Sequence, residues 1–375
     1  MATLNTTNIK HASSSTNNIV LNADGSTTIP NLSVGPNRNL IINGAMQVAQ
    51  RGTSSTADGY GTVDRFQNNH SNTDEAPTQA QADVASGTTP YTSGFRKSFK
   101  ITNGNQTSGA GSSDEVFIRT KLEAQDVAQS GWNYTSTSSY ITLSFWVKSS
   151  VAQNFYGIFQ TADGTKQNYP FETGSLTADT WTKVTKTISG NSNITFDNNN
   201  AEGLKLELHM FKGTDYTASG VTLNAWAAYA SGTRTPDQTS TWYTTNDATF
   251  EITGVQLEVG SVATDFEHRS YAQELVLCQR YFQALSLHGL AASKVPYDST
   301  FRVYVPFKQT MRAIPTITYP SISNFQPGGA TGTASGANAT VDGVLVSTGS
   351  NESNSNYIPN WVNDTSAIMK ASSEL

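Results

Sequence analysis

Apolar and polar residues alternate along much of the middle of the chain. The segment 141–148 reads ITLSFWVK and carries an apolar residue at every second position, which places one apolar face on a β-strand. Segment 204–211 alternates in the same way, and its polar residues Lys205, Glu207 and His209 are predicted to face outward. Strands separated by polar turns predict a β-sandwich or jelly roll. The predicted strands are 97–102, 115–120, 141–148, 155–160, 181–188, 204–211 and 249–259.

One stretch has helical spacing instead. Ser270 is a favourable N-cap, and Gln273 follows three residues later, as in a capping box. We place this helix at 270–284. Its apolar stripe needs a partner surface, which is either the sandwich or the same helix in neighbouring copies. The stripe consists of Tyr271, Leu275, Cys278 and Phe282.

The two ends of the chain differ from the middle. Residues 1–36 carry spaced apolar residues among Asn, Ser and Thr, with a hairpin-turn signal at Asp24 and Gly25. This segment is too sparsely apolar to bury a core alone. It is either a flexible tail or is ordered by intertwining with copies or by docking on a larger particle, and we favour docking. Residues 285–375 alternate again and predict a second β-region.

These patterns predict an all-β protein in four parts. Residues 1–36 form an N-terminal attachment and oligomerisation segment, residues 37–269 a β-sandwich jelly roll, residues 270–284 a linking helix, and residues 285–375 a C-terminal β-domain. Because the first segment and the helix both carry apolar positions that one chain cannot cover, we expect a homotrimer. The candidate interface residues are Ile19, Leu21, Ile29, Tyr271, Leu275 and Phe282.

The amino-acid composition excludes several classes of function. Charged residues make up only 14 % of the chain, against about 25 % in typical domains, and the net charge is −6. Scattered Lys and Arg exclude a basic nucleic-acid footprint and give little attraction to membranes. We expect no secretory signal and no membrane insertion, since no apolar run is long enough to span a bilayer. The single cysteine, Cys278, excludes an intrachain disulfide and a zinc site of the cysteine-pair type.

The sequence shows no nucleophile elbow, zincin motif or phosphate-binding loop. Glycosidase chemistry would need two positioned carboxyl groups, one of them with a raised pKa. We favour solvated strand faces and loops for the acidic residues that could serve, and we predict no catalytic residue, no metal site and no cofactor. Those acidic residues are Glu202, Glu207, Asp215 and Glu251.

Aromatic side chains are the candidates for binding a sugar, because aromatic rings stack on sugar faces. Trp146 is the most suggestive, since it falls on the polar face of its strand. Packing between sheets or subunits is the alternative; we favour it for Trp146 and Trp181 and leave the loop residues open. The candidate glycan-binding residues are Trp132, Tyr134, Trp146, Trp226, Trp242 and Tyr243.

Two resemblances follow from the motifs. The order of NLIING at 39–44, the strand at 140–148, TWTKV at 180–184 and GVQLEVG at 254–260 resembles carbohydrate-binding-module jelly rolls. In such modules an acidic residue often follows the opening Asn-Gly and helps to hold a structural calcium. Ala45 stands there in this chain, so we do not expect an inherited calcium site.

A broader set of motifs is similar to phage tail-fibre-like structural proteins. The motifs are NRNLIINGAMQVAQRGTS at 37–54, VDRF at 63–66, the segment from 254 to 282 that contains FEHRSYAQEL, and MRAIPTIT at 311–318.

The second resemblance implies a virion structural protein, either a tail fibre or a tail-associated subunit. It would be assembled in the host cytoplasm and released by lysis. Its N-terminal segment would contact other virion proteins, and host-surface glycan recognition would be an added role. One alternative is a head-decoration or head-fibre protein without receptor binding. The other is a polysaccharide-degrading tailspike enzyme.

Overall fold

The computed structural model of the chain describes residues 6–10, 12, 19–21, 23, 27–28, 38–294, 300–326, 330–349, 360–362 and 364–375. Near the start, the short strands β1 (Asn8–Ile9), β2 (Ile19–Leu21) and β3 (Thr27–Thr28) pair into an antiparallel sheet. Ile9 and Leu21 are exposed there, and Ile19 is half-buried. The predicted interface residue Ile29 lies outside the described residues.

Twelve strands between residues 54 and 259 form two six-stranded sheets, ordered β12-β9-β15-β7-β6-β4 (sheet 1) and β14-β11-β10-β13-β8-β5 (sheet 2). The chain passes between the sheets at most connections, as in a jelly roll. The predicted all-β sandwich is thereby confirmed. The strands are β4 (Ser54–Ser55), β5 (Gln67–Ser71), β6 (Thr78–Asp83), β7 (Lys97–Thr102), β8 (Glu115–Glu123), β9 (Tyr140–Ser149), β10 (Asn154–Thr161), β11 (Gln167–Ser175), β12 (Thr182–Ser189), β13 (Glu202–Lys212), β14 (Ala227–Ala228) and β15 (Thr249–Val259).

The core lies between these sheets and follows the alternation of the strands. In β9, the apolar residues at 141, 143, 145 and 147 are all fully buried, as their spacing predicts. β9 pairs with β12 and β15 on either side, and these four side chains line the inner face of sheet 1. Leu204, Leu206, Leu208 and Met210 of β13 supply the opposite face from sheet 2.

The predicted outward face of β13 is not exposed. Glu207 and His209 are 1 % and 0 % accessible to solvent, and Lys205 is half-buried. The expectation of a solvated face was wrong because a long connection folds over this side of sheet 2. An alternating pattern identifies the two faces of a strand but does not show what a distant segment covers.

Four short helices lie between residues 89 and 279: α1 (Thr89–Thr92), α2 (Ala124–Ala128), α3 (Thr241–Thr244) and α4 (Tyr271–Gln279), the last of which follows the sandwich. The predicted capping box of α4 is present, with Ser270 Oγ accepting from the Gln273 backbone N–H at 3.3 Å and Gln273 Oε1 accepting from the Ser270 N–H at 3.0 Å. The helix is shorter than predicted. It ends at Gln279, and Phe282 begins a strand.

The stripe predicted on this helix also needs correction. Cys278 is buried, but Tyr271 is exposed and Leu275 is only half-buried. Phe282 is buried within its own chain at 3 % accessibility, so it is not free to serve as an interface residue. The residues that face inward from α4 are instead Glu274, Cys278 and Gln279.

In the described part of the C-terminal region there are nine further strands and a separate apolar cluster. One sheet has the order β16-β24-β19. The other strands pair in the order β17-β18-β22-β21-β20-β23, and β23 also pairs with β17. The strands are β16 (Phe282–Ser286), β17 (Ala291–Lys294), β18 (Thr300–Pro306), β19 (Thr316–Thr318), β20 (Ser321–Gln326), β21 (Ala330–Ala337), β22 (Gly343–Gly349), β23 (Asn360–Val362) and β24 (Ile368–Ser372).

Among the residues that the structure describes, no helix is both long and apolar enough to cross a bilayer. The same residues contain no group of three or more His, Cys, Asp or Glu side chains placed to hold a metal ion.

Candidate functional site

The connection that covers sheet 2 runs from residue 213 to residue 240, and we call it the covering loop. Near the edge of the sheet, Asn168 Nδ2 of β11 donates to the Arg234 carbonyl at 2.9 Å. Further across, Gln238 Oε1 accepts from the Lys212 backbone N–H at 3.0 Å. The covering loop therefore crosses the outer face of sheet 2 from β11 to β13.

A charged cluster lies beneath the covering loop. The strand register places Glu207 opposite Arg119, and Lys212 opposite Glu115. The Arg119 guanidinium donates to Glu207 Oε1 through Nε at 2.9 Å and a terminal nitrogen at 2.7 Å. Lys212 Nζ donates to Glu115 Oε2 at 2.6 Å and lies 3.5 Å from the centre of the Phe117 ring. Buried charges are thus held by direct partners, as burial requires.

The protonation states in this cluster follow from its contacts. Burial acts to raise the pKa of Glu207, but the hydrogen bond from His209 and the charges of Lys212 and Arg119 outweigh burial and hold that pKa well below its ordinary value. Burial, together with the charge of Lys212, lowers the pKa of His209 to about 3. His209 is therefore neutral near pH 7. Its Nε2 lies 3.2 Å from Glu207 Oε2, and its Nδ1 lies 3.3 Å from Gln238 Nε2.

A half-buried group of side chains lies above the cluster, and we call it the rim. It consists of Tyr216, Tyr229 and Arg234 of the covering loop and Glu115 of β8. The Arg234 guanidinium carbon lies 4.7 Å from the Tyr216 ring centre and 5.8 Å from that of Tyr229. A terminal nitrogen of Arg234 lies 3.8 Å from Glu115 Oε2, and its buried Nε has no hydrogen-bond partner. Aromatic rings, a carboxylate and a guanidinium group are the kinds of side chain that bind sugars.

A cavity of about 200 Å³ lies at one end of the covering loop. Pockets for drug-sized ligands begin at about 300 Å³, so this space suits no more than one sugar unit. Its lining is mostly small and polar: Ala110, Gly111, Ser112, Phe211, Lys212, Gly213, Thr214, Thr217, Gln238 and Ser240.

Three of the predicted sugar-stacking residues belong to the core. Trp132, Trp242 and Tyr243 are at most 2 % accessible. Trp242 Nε1 donates to the Thr249 carbonyl at 3.0 Å, and the Tyr243 ring stacks on Phe211 with ring centres 4.5 Å apart. In this conformation their faces are covered by the protein, so we no longer assign them to a glycan site.

The other predicted aromatic residues are half-buried. Trp226 lies with its ring centre 5.2 Å from that of Tyr169, and its Nε1 donates to the Ser189 carbonyl at 2.8 Å. The Tyr134 ring meets the Phe196 ring edge-on at 4.9 Å.

Trp146 packs against a small apolar cluster around Phe95 on the outer face of sheet 1. The rim thus shares no residue with the predicted site. Tyr216 and Tyr229 lie in a loop without periodicity, and no sequence signal distinguishes them.

The carboxylates considered for catalysis are not brought together. Glu202 pairs with Lys121 at 2.8 Å on sheet 2, whereas Glu251 pairs with Lys148 at 3.0 Å on sheet 1. The lowered pKa of Glu207 is the opposite of what a general acid needs.

No family model matches this chain. The search of curated proteins also gave no match. Among solved structures, the enzymatically active domain of tailspike protein 4 from bacteriophage CBA120 is similar over 60 % of this chain, at 9 % identity and a TM-score of 0.31. The match spans 22 % of that chain, so it covers only about a fifth of the tailspike structure.

Two carbohydrate-binding structures are also similar. The N-terminal cellulose-binding domain of Cellulomonas fimi β-1,4-glucanase C matches 58 % of this chain and 99 % of its own, with 10 % identity and a TM-score of 0.27. The family 11 carbohydrate-binding module of Clostridium thermocellum matches 56 % of this chain and 98 % of its own, with 9 % identity and a TM-score of 0.26. TM-scores of this size are too low to transfer residue roles to this chain.

Proposed function

We propose that this chain is a structural subunit of a bacteriophage virion and that its β-sandwich binds a host-surface glycan at the rim. The observation that carries the glycan part is the grouping of Tyr216, Tyr229 and Arg234 above Glu115. The three side chains are half-buried, and the Arg234 guanidinium lies beside both rings and 3.8 Å from Glu115 Oε2. A sugar could stack on a ring while its hydroxyl groups accept from Arg234 and donate to Glu115.

The buried cluster supports a binding role by holding the rim in place. Glu115 accepts a hydrogen bond from Lys212 Nζ. The same Nζ lies 3.8 Å from Glu207 Oε2 and 3.5 Å from the centre of the Phe117 ring. Because these partners are packed and paired before any ligand arrives, little ordering remains to be done on binding. The lowered pKa of Glu207 does not suit a general acid, and we propose no enzymatic activity.

The virion part is supported by the sequence. The chain has few charged residues, and its motifs at 37–54, 63–66 and 254–282 are similar to tail-fibre-like proteins. We propose a tail fibre or tail-associated subunit that forms a homotrimer and attaches through residues 1–36. Head decoration remains the second candidate, because the motifs do not specify a position on the particle.

The glycan site is tested on an array of bacterial lipopolysaccharide, capsular and teichoic-acid glycans. We expect the wild-type protein to bind at least one of them, and Tyr216→Ala and Arg234→Ala to weaken that binding roughly tenfold, since each removes about 1.4 kcal/mol of contact energy. Tyr304→Ala is the matched control, because Tyr304 is 52 % exposed and lies on β18. Unchanged binding by both rim variants, or no binding by the wild type, would overturn the assignment.

The virion role is tested by immunogold labelling of particles of the phage that encodes the chain. Gold on the tail is the expected result, gold on the head favours the decoration protein, and unlabelled particles overturn both. Incubating the protein with the glycan that it binds tests the enzyme alternative, since release of reducing ends would establish hydrolysis.

A further inference from the structure

The cavity of about 200 Å³ at one end of the covering loop adjoins the rim. Thr217 of its lining directly follows Tyr216 in the chain, and the Tyr216 backbone N–H donates to the carbonyl of Gly213, another lining residue, at 3.0 Å. Lys212 also lines the cavity, and its Nζ lies 5.5 Å from the centre of the Tyr216 ring. A sugar unit in the cavity would therefore lie beside a ring of the rim.

Two hydroxyl groups of the lining donate to carboxylates behind the wall. The Ser112 hydroxyl donates to Asp215 Oδ2 at 3.3 Å, and the Thr217 hydroxyl donates to Asp237 Oδ1 at 2.9 Å. A hydroxyl group has one hydrogen to donate and two lone pairs with which to accept. Because both hydrogens are directed to carboxylates, the oxygens of Ser112 and Thr217 are left to accept hydrogen bonds from a ligand.

The stronger donors of the lining are engaged as well. Lys212 carries the one charge among the ten lining residues, and its Nζ donates to Glu115 Oε2 at 2.6 Å. Gln238 Nε2 donates to Thr235 Oγ1 at 2.9 Å and lies 3.3 Å from His209 Nδ1. An anionic group of a ligand would have to displace one of these internal bonds in order to gain either donor.

Carboxylates also outnumber cations around the cavity. Asp114 Oδ2 accepts from the Gly111 backbone N–H at 2.6 Å, so a further carboxylate lies behind the wall. The two cations that contact these groups, Lys212 and Arg234, both lie against Glu115. The four carboxylates are Asp114, Glu115, Asp215 and Asp237. The surroundings of the cavity therefore carry a surplus of negative charge.

This negative charge reaches the ring of Tyr216. Burial raises the pKa of the Tyr216 hydroxyl, and the charge of Glu115 raises it further. The charges of Asp215 and Asp114 act in the same direction, while that of Arg234 opposes them. A cleft surrounded by one sign of charge repels ligand groups of the same sign.

We infer that the rim and the adjoining cavity select against acidic sugars, and that the unit they take carries hydroxyl or amino groups and no carboxylate. Hydroxyl and amino groups supply the hydrogens that the oxygens of Ser112 and Thr217 can accept, whereas an ionised carboxylate has none to supply. An acidic sugar would also face the surplus of negative charge, and repulsion of this kind is one way in which a site rejects a ligand. This inference rests on the proposed glycan binding at the rim and specifies the class of sugar.

The glycan array tests the inference when part of it is treated with carbodiimide and borohydride, which reduce carboxylates to hydroxymethyl groups. We expect the reduced glycans to bind as well as the untreated ones or better. Binding that Tyr216→Ala weakens and that carboxyl reduction abolishes would overturn the inference and leave the glycan site standing. An array without binding, or binding that the rim variants do not weaken, would overturn the site itself and the inference with it.

The converse experiment adds the charge to the glycan that binds best, by oxidising its primary hydroxyl groups to carboxylates. At low salt we expect the oxidised glycan to bind about three- to tenfold more weakly, because each exposed carboxylate of the protein contributes modest repulsion. The double variant Asp215→Asn and Asp237→Asn keeps both acceptor oxygens and should recover at least about twofold of the loss. Asp83→Asn is the matched control, because Asp83 pairs with Lys97 on sheet 1. Equal binding of the two glycans by the wild type, or no recovery in the double variant, would overturn selection by charge.

Discussion

The Arg280 guanidinium donates two parallel hydrogen bonds, both 2.9 Å long, to the carboxylate of Glu123. Glu123 ends β8 in the sandwich, and Arg280 follows α4, so this pair joins the sandwich to the C-terminal region. The Tyr281 hydroxyl donates to the same carboxylate at 2.6 Å. Burial acts to raise the pKa of Glu123, but the hydrogen bonds from Arg280 and Tyr281 outweigh it and lower that pKa.

Replacing Glu123 with Gln is expected to destabilise the protein. The substitution removes the charge that pairs with Arg280 and leaves a buried tyrosine hydroxyl with a weaker acceptor. Hydrogen bonds to charged groups contribute about 1.5–3 kcal/mol each, and Arg280 is partly solvated, so we expect a loss of about 2 kcal/mol in urea unfolding. Glu202→Gln is the control, because the more exposed Glu202–Lys121 pair should contribute less than about 1 kcal/mol. Equal losses in the two variants would contradict the assigned role of Glu123.

The alternation of apolar and polar residues was sufficient to predict the strands whose structure depends on their own local sequence. The predicted strand at 141–148 lies within β9, and the predicted strand at 249–259 coincides with β15, because each alternates apolar and polar residues into a two-layer core. The end of α4 depended on distant partners instead. Tyr281 binds Glu123, and the Arg51 guanidinium lies 3.6 Å from the ring centre of Phe282, so tertiary contacts turn the chain out of the helix.

The candidate site was beyond sequence reasoning for the same reason. Tyr216 and Arg234 are eighteen positions apart in a polar loop and meet only because the covering loop closes on itself, with Thr217 bridged to Thr235. Tryptophans that the sequence suggested as glycan-binding residues pack inside the protein instead. Trp242 is fully buried, as large aromatic side chains between sheets commonly are.

His209 is expected to make the protein sensitive to acid. The pKa of His209 is about 3 in the folded state and about 6.5 in the unfolded state. As the pH falls below 6.5, the unfolded chain takes up a proton that the folded chain does not, so folding stability decreases. Between pH 6.5 and 4.5 this contribution is on the order of 2 kcal/mol.

His209→Gln is the variant that tests this effect, because glutamine does not titrate and can still donate to Glu207. We expect its free energy of unfolding to fall less than that of the wild type between pH 6.5 and 4.5. His268→Gln is the control, because His268 lies outside the cluster and bonds the Ser93 carbonyl at 3.0 Å. Parallel pH profiles for the wild type and His209→Gln would contradict the buried neutral histidine.

Asp64 is expected to act in the opposite direction. Burial raises the pKa of Asp64 to about 6, while the charge of Arg51 and the hydrogen bonds from Gln50 oppose that rise. The folded chain therefore holds a proton that the unfolded chain has lost between about pH 4 and pH 6. The contribution of Asp64 to stability is fully present at low pH and is lost as the pH rises through 6.

Asp64→Asn removes this titration and keeps an oxygen that can accept from Gln50. Relative to the wild type, the variant should lose less stability as the pH rises from 4.5 to 7, by on the order of 2 kcal/mol. Thermal unfolding at several pH values measures the difference, with Asp83→Asn as an exposed control whose Lys97 pair lies at the surface. A variant that loses stability as steeply as the wild type would show that Asp64 is ionised throughout.

Gly157 tests how closely sheet 2 is packed beneath the charged cluster. A methyl group at this position would meet the ring of Phe171 and would lie 2.8 Å from the carbonyl oxygen of Glu207. Gly157→Ala should therefore shift β10 against β13 and cost about 1–3 kcal/mol, as overpacking does. Gly232→Ala is the control, since its nearest contact is an ordinary 3.5 Å. Adding Phe171→Leu should restore part of the loss, because it removes the ring but not the carbonyl clash. If the double variant is no more stable than Gly157→Ala, the clash with the backbone of β13, rather than the clash with the ring, causes the loss of stability. In that case we expect the glycan affinity of the rim to decrease together with the stability.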